Sequence, residues 1–339
     1  MMDQVQTIRI IFMGTPEFAV PSLQALIAAE DIDVLAVITQ PDKATGRKQI
    51  ISASPVKLIA EAHGIPVYQP ERISQDEELI KQLINLQPDF IITAAYGQIL
   101  RVNILDIAPV VNLHASLLSE FRGPAPINWM IIHGDKMVGL TTMLTGVGVD
   151  TGDILLKFQT DLGEIENAEQ LTDRLAEHGA ELLLKTLRDF NTLAPQKQSL
   201  ADATRQLAPF MDKNLGRINF SDTELILRSA NPKQTEFKLV LKNSAQNIHN
   251  LVRATYPWPG AYFMDSEQKI IILETRVLEH DSLNASPGLI SSIDKSCGSF
   301  IVACQQGSLE ILKLKPQGKN AMQALDWLNG KRLSVGGKI

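Results

Sequence analysis

Over its first half the chain alternates short, unbroken apolar runs with longer stretches in which apolar residues recur every three or four positions. The runs Thr7–Met13, Asp33–Thr39, Phe90–Ala94, the approach to Val110-Val111, and Gly139–Thr145 read as strands, with Pro66–Tyr68 as a strand edge. Between them, Pro21 opens a helical pattern through Leu23, Leu26 and Ile27, while Ser54–Ala62 and Asp76–Leu86 read as helices, the second stopping before Pro88. Asn167 caps a long amphipathic helix with Leu171, Leu175, Leu182, Leu183, Leu187 and Phe190 on its apolar side. Buried strands alternating with helices predict an α/β fold, a doubly wound and mostly parallel sheet whose ligands bind beyond the carboxyl ends of its strands.

The pattern then changes. Residues 191–208 (NTLAPQKQSLADATRQLA) are polar and aperiodic, which suits a linker. Beyond them, strand-like runs such as Lys269–Leu273, Phe300–Ala303 and Leu309–Leu314 alternate with Gly and Asn turns and predict a small β-barrel. The expected domains are therefore 1–190 and 209–339, joined by 191–208. A chain of 339 residues with 45% apolar content can bury cores of that number and size. Charge follows the same division: residues 1–208 hold 16 Lys and Arg against 26 Asp and Glu, a balance of −10, and residues 209–339 hold 16 against 12, a balance of +4. Two readings fit, compositional drift or an acidic domain for chemistry joined to a basic one that holds a polyanion. No run approaches the ~18 apolar residues that a membrane span needs, and the first residues lack a basic-then-apolar leader, so a cytoplasmic location is expected. Cys297 and Cys304, without a C-x-x-C pair or nearby histidines, are expected to be reduced packing residues.

Candidate chemistry gathers between Val110 and Leu156. Side chains alternate along a strand, so Asn112 and His114 project to one side at the end of theirs. Asp150 lies in Gly146-Val147-Gly148-Val149-Asp150-Thr151-Gly152, where glycines allow the loop to approach its neighbours closely. An amide donor and an imidazolium can stabilise the oxyanion of an acyl transfer, while a carboxylate orients the ring and favours its charged form. Plainer readings stand beside this one: a satisfied core histidine, and an Asp that only makes a turn. A metal is a poorer account, since no second His or Cys is close in sequence. Phe121-Arg122-Gly123-Pro124-Ala125-Pro126 reads as a rigid loop before a helix beginning near Ile127. Gly14 follows a strand but lacks the further glycines of a dinucleotide site, and no G-K-[ST] phosphate loop occurs. From 40 to 57, Lys43, Arg47, Lys48 and Lys57 outweigh Asp42, which fits either a solvated loop or a basic arm that follows RNA phosphates.

The wording N-x-H-x-S-L-L, R-G-x-x-P-I and G-x-D-T-G-D, at these separations, resembles the formyltransferases that use 10-formyltetrahydrofolate, and within them the branch that acts on initiator methionyl-tRNA. The resemblance extends to Met13–Ala19, Gln40-Pro41-Asp42, Ser54–Lys57 and Pro257-Trp258-Pro259-Gly260, nearly the whole chain. It implies a Rossmann-like catalytic domain that binds formyl-folate through Ala94, Ala95, Tyr96, Gly97, Ser116, Leu117, Leu118, Ser119 and Val147, with Ser119 standing where the family has proline. It implies that Asn112 and protonated His114 serve the oxyanion, that Asp150 holds the imidazolium and helps pass a proton to the departing folate nitrogen, and that no metal takes part. Arg47, flanked by Lys43 and Lys48, would contact the tRNA acceptor end, although the stretch after Arg47 is less basic than is usual in the family. The C-terminal barrel would hold tRNA, the protein would act as a monomer, and a fragment ending near Ala203 would fold and bind folate alone. Gly216–Phe220 resembles a family segment, and Ser221–Asn243 looks like an insertion forming a surface hairpin. Two alternatives are a formyl-folate enzyme acting on a ribonucleotide or sugar amine, which lacks a use for the basic domain, and a non-enzymatic RNA-binding protein, which has no need of an intact trio.

Overall fold

A computed structural model describes residues 7–45, 50–199, 205–229, 237–278 and 285–339. Its amino-terminal half runs β1 (Ile8–Gly14), α1 (Val20–Ala28), β2 (Ile32–Ile38), β3 (Lys43–Thr45), β4 (Ile50–Ser52), α2 (Pro55–Ala62), β5 (Val67–Tyr68), α3 (Glu77–Asn85), β6 (Phe90–Ala94) and α4 (Val102–Leu105). It continues through β7 (Val110–His114), α5 (Pro126–His133), β8 (Met137–Leu144), β9 (Ile154–Asp161) and α6 (Ala168–Asp189). Capping chemistry sets several of these boundaries. The Ser54 hydroxyl accepts from Lys57 N–H at 3.1 Å and the Asp76 carboxylate from Leu79 N–H at 3.0 Å, each satisfying an amide that the first turn leaves without a partner.

A seven-stranded sheet forms in the order β5-β2-β1-β6-β7-β8-β9. Pairing is parallel from β5 through β7 and antiparallel between β7 and β8. The β8–β9 hairpin continues the antiparallel edge, with Leu144 N–H donating to Asp153 O at 2.9 Å. This is the mostly parallel, Rossmann-like sheet that the alternating pattern predicts. Its central strands are apolar because both faces are covered: Ile11, Met13, Ile91 and Val110 pack with Leu79, Leu83 and Ile104 in one core cluster. α6 comes close to β7, where a Cβ on Gly179 would stand 2.6 Å from a Leu113 methyl. β9 has no counterpart among the predicted strands; its polar residues alternate outward, and only Ile154 and Leu155 are buried.

The described chain forms two compact units, and neither is continuous in sequence: residues 1–124, 137–160 and 172–207 in the first, and 125–136, 161–171 and 208–339 in the second. The second contains β10 (Glu224–Ser229), β11 (Phe237–Lys242), α7 (Ala245–Ala254), β12 (Ala261–Asp265), β13 (Gln268–Leu278), β14 (Ile290–Asp294), β15 (Ser299–Ala303), β16 (Ser308–Pro316), β17 (Met322–Gln323) and α8 (Ala324–Gly330). An antiparallel sheet of order β12-β13-β16-β15-β14, with β17 on β16, forms its centre. Trp327 stacks on Phe300 and meets Phe263 edge-on beneath it. The expected surface hairpin is β10–β11, yet it is more than surface: Leu225 and Leu227 are buried, and Phe237 meets the fully buried Trp129 of α5 edge-on at 4.8 Å. Of the two cysteines, Cys304 is buried and Cys297 exposed, so only the first fills core.

Candidate active site

The carboxyl ends of β1, β6 and β7 lie side by side, with Gly14 opposite Ala94 and Ala94 opposite Leu113. Hydroxyl and amide side chains tie these ends to that of β2. Thr15 Oγ1 donates to the Tyr96 carbonyl at 3.3 Å, and Gln40 Nε2 to the same oxygen at 2.9 Å. Thr93 and Asn112 are register partners, and Thr93 Oγ1 donates to Asn112 Oδ1 at 2.8 Å. With its oxygen so engaged, the Asn112 amide has its Nδ2 left to donate. Thr93 is a supporting residue that a reading of motifs passes over; the signal for it is the pairing register, which the sequence does not carry.

His114 is 6% exposed. Its Nε2 donates to the Phe121 carbonyl at 2.9 Å, and its Nδ1 faces Asp150 Oδ2 at 3.7 Å. The second distance is that of an ion pair rather than a hydrogen bond. Asp150 Oδ2 also accepts from Gly123 N–H at 2.9 Å, so one carboxylate oxygen joins the histidine to the Phe121–Pro124 loop. The structure therefore brings Asn112, His114 and Asp150 to one place. It also places both histidine nitrogens against protein acceptors, whereas the expected role leaves one of them to donate to substrate.

Backbone strain concentrates here. Among the described residues, six non-glycine positions have positive φ, and three of them, Ala95 (47°), Phe121 (57°) and Asp150 (49°), belong to this site. Each such conformation costs on the order of 1–3 kcal/mol and persists only where surrounding contacts impose it. Around Asp150 those contacts are visible. A Cβ on Gly152 would stand 1.6 Å from the Leu144 carbonyl and one on Gly148 2.3 Å from Thr151 Oγ1, so the close approach that the glycines imply falls on these two; around Gly146 there is open space. Around Phe121, its N–H donates to Arg205 O at 2.7 Å, Arg205 Nη2 reaches Glu120 Oε2 at 2.8 Å, and the guanidinium lies 5.0 Å from the Phe121 ring centroid.

The residues expected to bind folate divide by burial. Ala95, Gly97 and Val147 are exposed and Leu117 is half-buried. Ala94, Tyr96, Ser116, Leu118 and Ser119 are buried. Tyr96 packs its ring in the core cluster, where desolvation raises its hydroxyl pKa, and it presents only its backbone to the strand ends. Ser116 Oγ donates to Glu120 O at 2.7 Å, and Leu118 packs with Met143 and Ile154 while its N–H donates to Thr141 Oγ1 at 3.0 Å. The side chains of these five offer little exposed surface.

In the basic segment, Arg47 and Lys48 lie outside the described residues. Lys43 is exposed on a short hairpin of β3 with β4 and donates to Gln40 Oε1. Lys57 is committed elsewhere: its Nζ is 2.8 Å from Asp42 Oδ2 and from Gln69 Oε1. Bonds from Lys57 and Gln69 lower the Asp42 pKa. This leaves Lys57 out of any arm that follows phosphates. A cavity lined by Ile84, Gln87, Pro88, Asn103, Asp106 and Ile107 opens near the amino ends of β6 and β7, at the far end of these strands, and brings only one carboxylate.

The family model described as formyl transferase matches residues 8–187, and that described as formyl transferase, C-terminal domain, matches residues 232–332. The methionyl-tRNA formyltransferase of Thermodesulfovibrio yellowstonii is 41% identical over 331 residues, covering 96% of this chain and 97% of its own. That of Clostridium perfringens strain 13 is 41% identical over 332 residues, covering 97% and 98%. Among solved structures, the N-formyltransferase from Helicobacter canadensis in complex with folinic acid and dTDP-3-aminofucose has a TM-score of 0.62 at 17% identity, covering 91% of this chain and 100% of that one. HypX from Aquifex aeolicus in complex with tetrahydrofolic acid has a TM-score of 0.59 at 12% identity, covering 97% of this chain and 48% of that one. At such identities the likeness to the solved structures is one of fold.

Proposed function

The chain belongs to the formyl transferase family, and on that premise we propose that it transfers the formyl group of 10-formyltetrahydrofolate to the α-amino group of methionine esterified to initiator tRNA. The observation that carries this reading is near-full-length similarity to methionyl-tRNA formyltransferases, and the adjacency of Asn112, His114 and Asp150 at the strand ends agrees with it. The amine attacks the formyl carbon, a C–N bond forms, and the bond to the folate nitrogen breaks as that nitrogen takes up a proton. Asn112 Nδ2 serves the oxygen on which charge develops. With Nε2 spent on Phe121 O, an ion pair between His114 Nδ1 and Asp150 requires the ring to be an imidazolium. Its contribution to the oxyanion is therefore its nearby positive charge, with Asp150 holding that charge in place and relaying the proton. Folate lies against Ala95, Gly97, Leu117 and Val147, which carry exposed or half-exposed surface.

On this reading the enzyme works in the cytoplasm as a monomer, the basic surplus after residue 208 engages tRNA phosphates, and Arg47 contacts the acceptor end. No helix among the described residues is long and apolar enough to cross a membrane. The deciding experiment offers the protein 10-formyltetrahydrofolate with charged initiator tRNA, charged elongator tRNA or a nucleotide-linked amino sugar. Formylation of the initiator alone is expected; formylation of the sugar in its place would sink the proposal. Arg47→Ala should impair use of tRNA far more than binding of folate, and equal losses in both would assign Arg47 a structural part.

A further inference from the structure

Residues 191–208 read as a polar linker, yet one side chain within them spans both loops that bracket His114. Gln198 Oε1 accepts from Arg122 Nε at 3.0 Å and from Arg122 Nη2 at 2.7 Å. Its Nε2 donates to the carbonyls of Asp150 at 2.9 Å and Gly152 at 2.8 Å. Both acceptor positions and both N–H groups of the amide are thus used, a saturation that fixes the side chain's orientation. Its register is set two residues earlier, where Gln196 and Ile154 exchange backbone hydrogen bonds of 2.8 Å in each direction. On one side the amide grips Arg122, next to Phe121, whose carbonyl receives His114 Nε2. On the other it grips Asp150 itself, whose φ of 49° is unfavourable without such support.

Resting on the transfer reaction proposed above, we infer that Gln198 is a positioning residue for it, holding the Asp150 backbone so that the carboxylate faces His114 and anchoring the Phe121 loop through Arg122. The residue type follows from the geometry. Glutamate at this position has no N–H groups when ionised and sets a charge against two carbonyl oxygens; leucine keeps the volume and loses all four hydrogen bonds. Since Gln198 touches no reacting atom, its loss should lower the rate of the bound complex and leave substrate binding little changed.

The test measures kcat, KM for each substrate and Tm in wild type, Gln198→Leu, Gln198→Glu, Asp150→Asn and the Gln198→Leu/Asp150→Asn double variant. In both Gln198 variants kcat should fall about tenfold to a hundredfold, the scale of a small misplacement of reacting groups, with each KM within about threefold of wild type. The double variant should lose less than the product of the two single losses, because an absent carboxylate cannot be misaimed and only the Arg122 anchor remains to be lost. Multiplied losses in the double variant, or an unchanged kcat in Gln198→Glu, overturn the inference. Gln198→Glu retains the volume and the Arg122 contact, so it decides the matter if the leucine variant does not fold. An inactive wild type overturns the activity and this inference with it; an active wild type with equally active variants overturns this inference alone.

Discussion

Two histidines, one in each unit, are equally hidden from water and differently surrounded. His114 and His249 are each 6% exposed, and each has both ring nitrogens near protein atoms. Around His114 the partners are a carboxylate and a carbonyl borne by residues in left-handed conformations. Around His249 they are the Thr275 hydroxyl at 2.8 Å and the Glu164 carbonyl at 3.0 Å, with the Arg253 guanidinium nearby. Burial depresses the His249 pKa, and the Arg253 charge adds to that effect against the opposing influence of Glu164. His249 is thus a neutral fixture that joins α7 to the 161–171 segment, as Arg253 does through Gly163 O and Glu166 O. Burial is common to both, and hydrogen bonds engage both nitrogens only at His249; a carboxylate at ion-pair distance and strained neighbours mark His114 for chemistry.

The largest expected effect breaks the symmetry outright. His114→Ala should lower kcat/KM by at least about a hundredfold in a folded protein, whereas His249→Gln should leave turnover near wild type. Steady-state assays with circular dichroism on both variants check this, and comparable losses in the two would erase the distinction. The next effect asks whether the chain up to about residue 203, which carries only part of the second unit, stands without the rest. Trp129 is fully buried, donating from Nε1 to Pro209 O at 2.8 Å and meeting Phe237, and a fragment ending near Ala203 lacks both partners. Contrary to the expectation from sequence, that fragment should unfold or aggregate, since uncovering a core tryptophan forfeits about 3–5 kcal/mol. A cooperative melt near that of the full chain would show otherwise.

Asp150→Asn is a smaller change at the same centre as His114→Ala. The amide keeps the volume but removes the charge facing Nδ1, so turnover should fall about tenfold to a hundredfold and the pH–rate profile should change shape. A profile superimposable on wild type would confine Asp150 to the turn it makes. The smallest effect belongs to His249 and concerns stability alone. Its pKa is lower in the folded protein than its ordinary 6.5, so the unfolded chain binds the proton first. The stability it contributes is complete above 6.5 and is lost as pH falls below that value. Urea melts across that range should show a shallower acid slope in His249→Gln than in wild type, and equal slopes would place the acid sensitivity elsewhere.

Hydrophobic periodicity determined which segments of the first half are strands and which are helices, because burial on both faces of a parallel sheet leaves apolar runs such as Phe90–Ala94 that can be read without a partner in view. It also determined that Asn112 and His114 end the same strand, since side-chain alternation is a local property. The amphipathic face of β9, paired at one edge, made too weak a run to be recognised. Tertiary structure alone decided that α5 packs with residues beyond 208, that Lys57 is spent on Asp42, that Tyr96 turns inward, and that Gln198 in a polar stretch grips the Asp150 loop. The physical reason is the same in each case: a side chain's composition fixes what it can donate or accept, but which partner lies within 3 Å depends on segments far apart in sequence. For Gln198 and Asp150 the separation is 48 residues. A polar residue therefore looks alike in sequence whether it meets water or closes a loop.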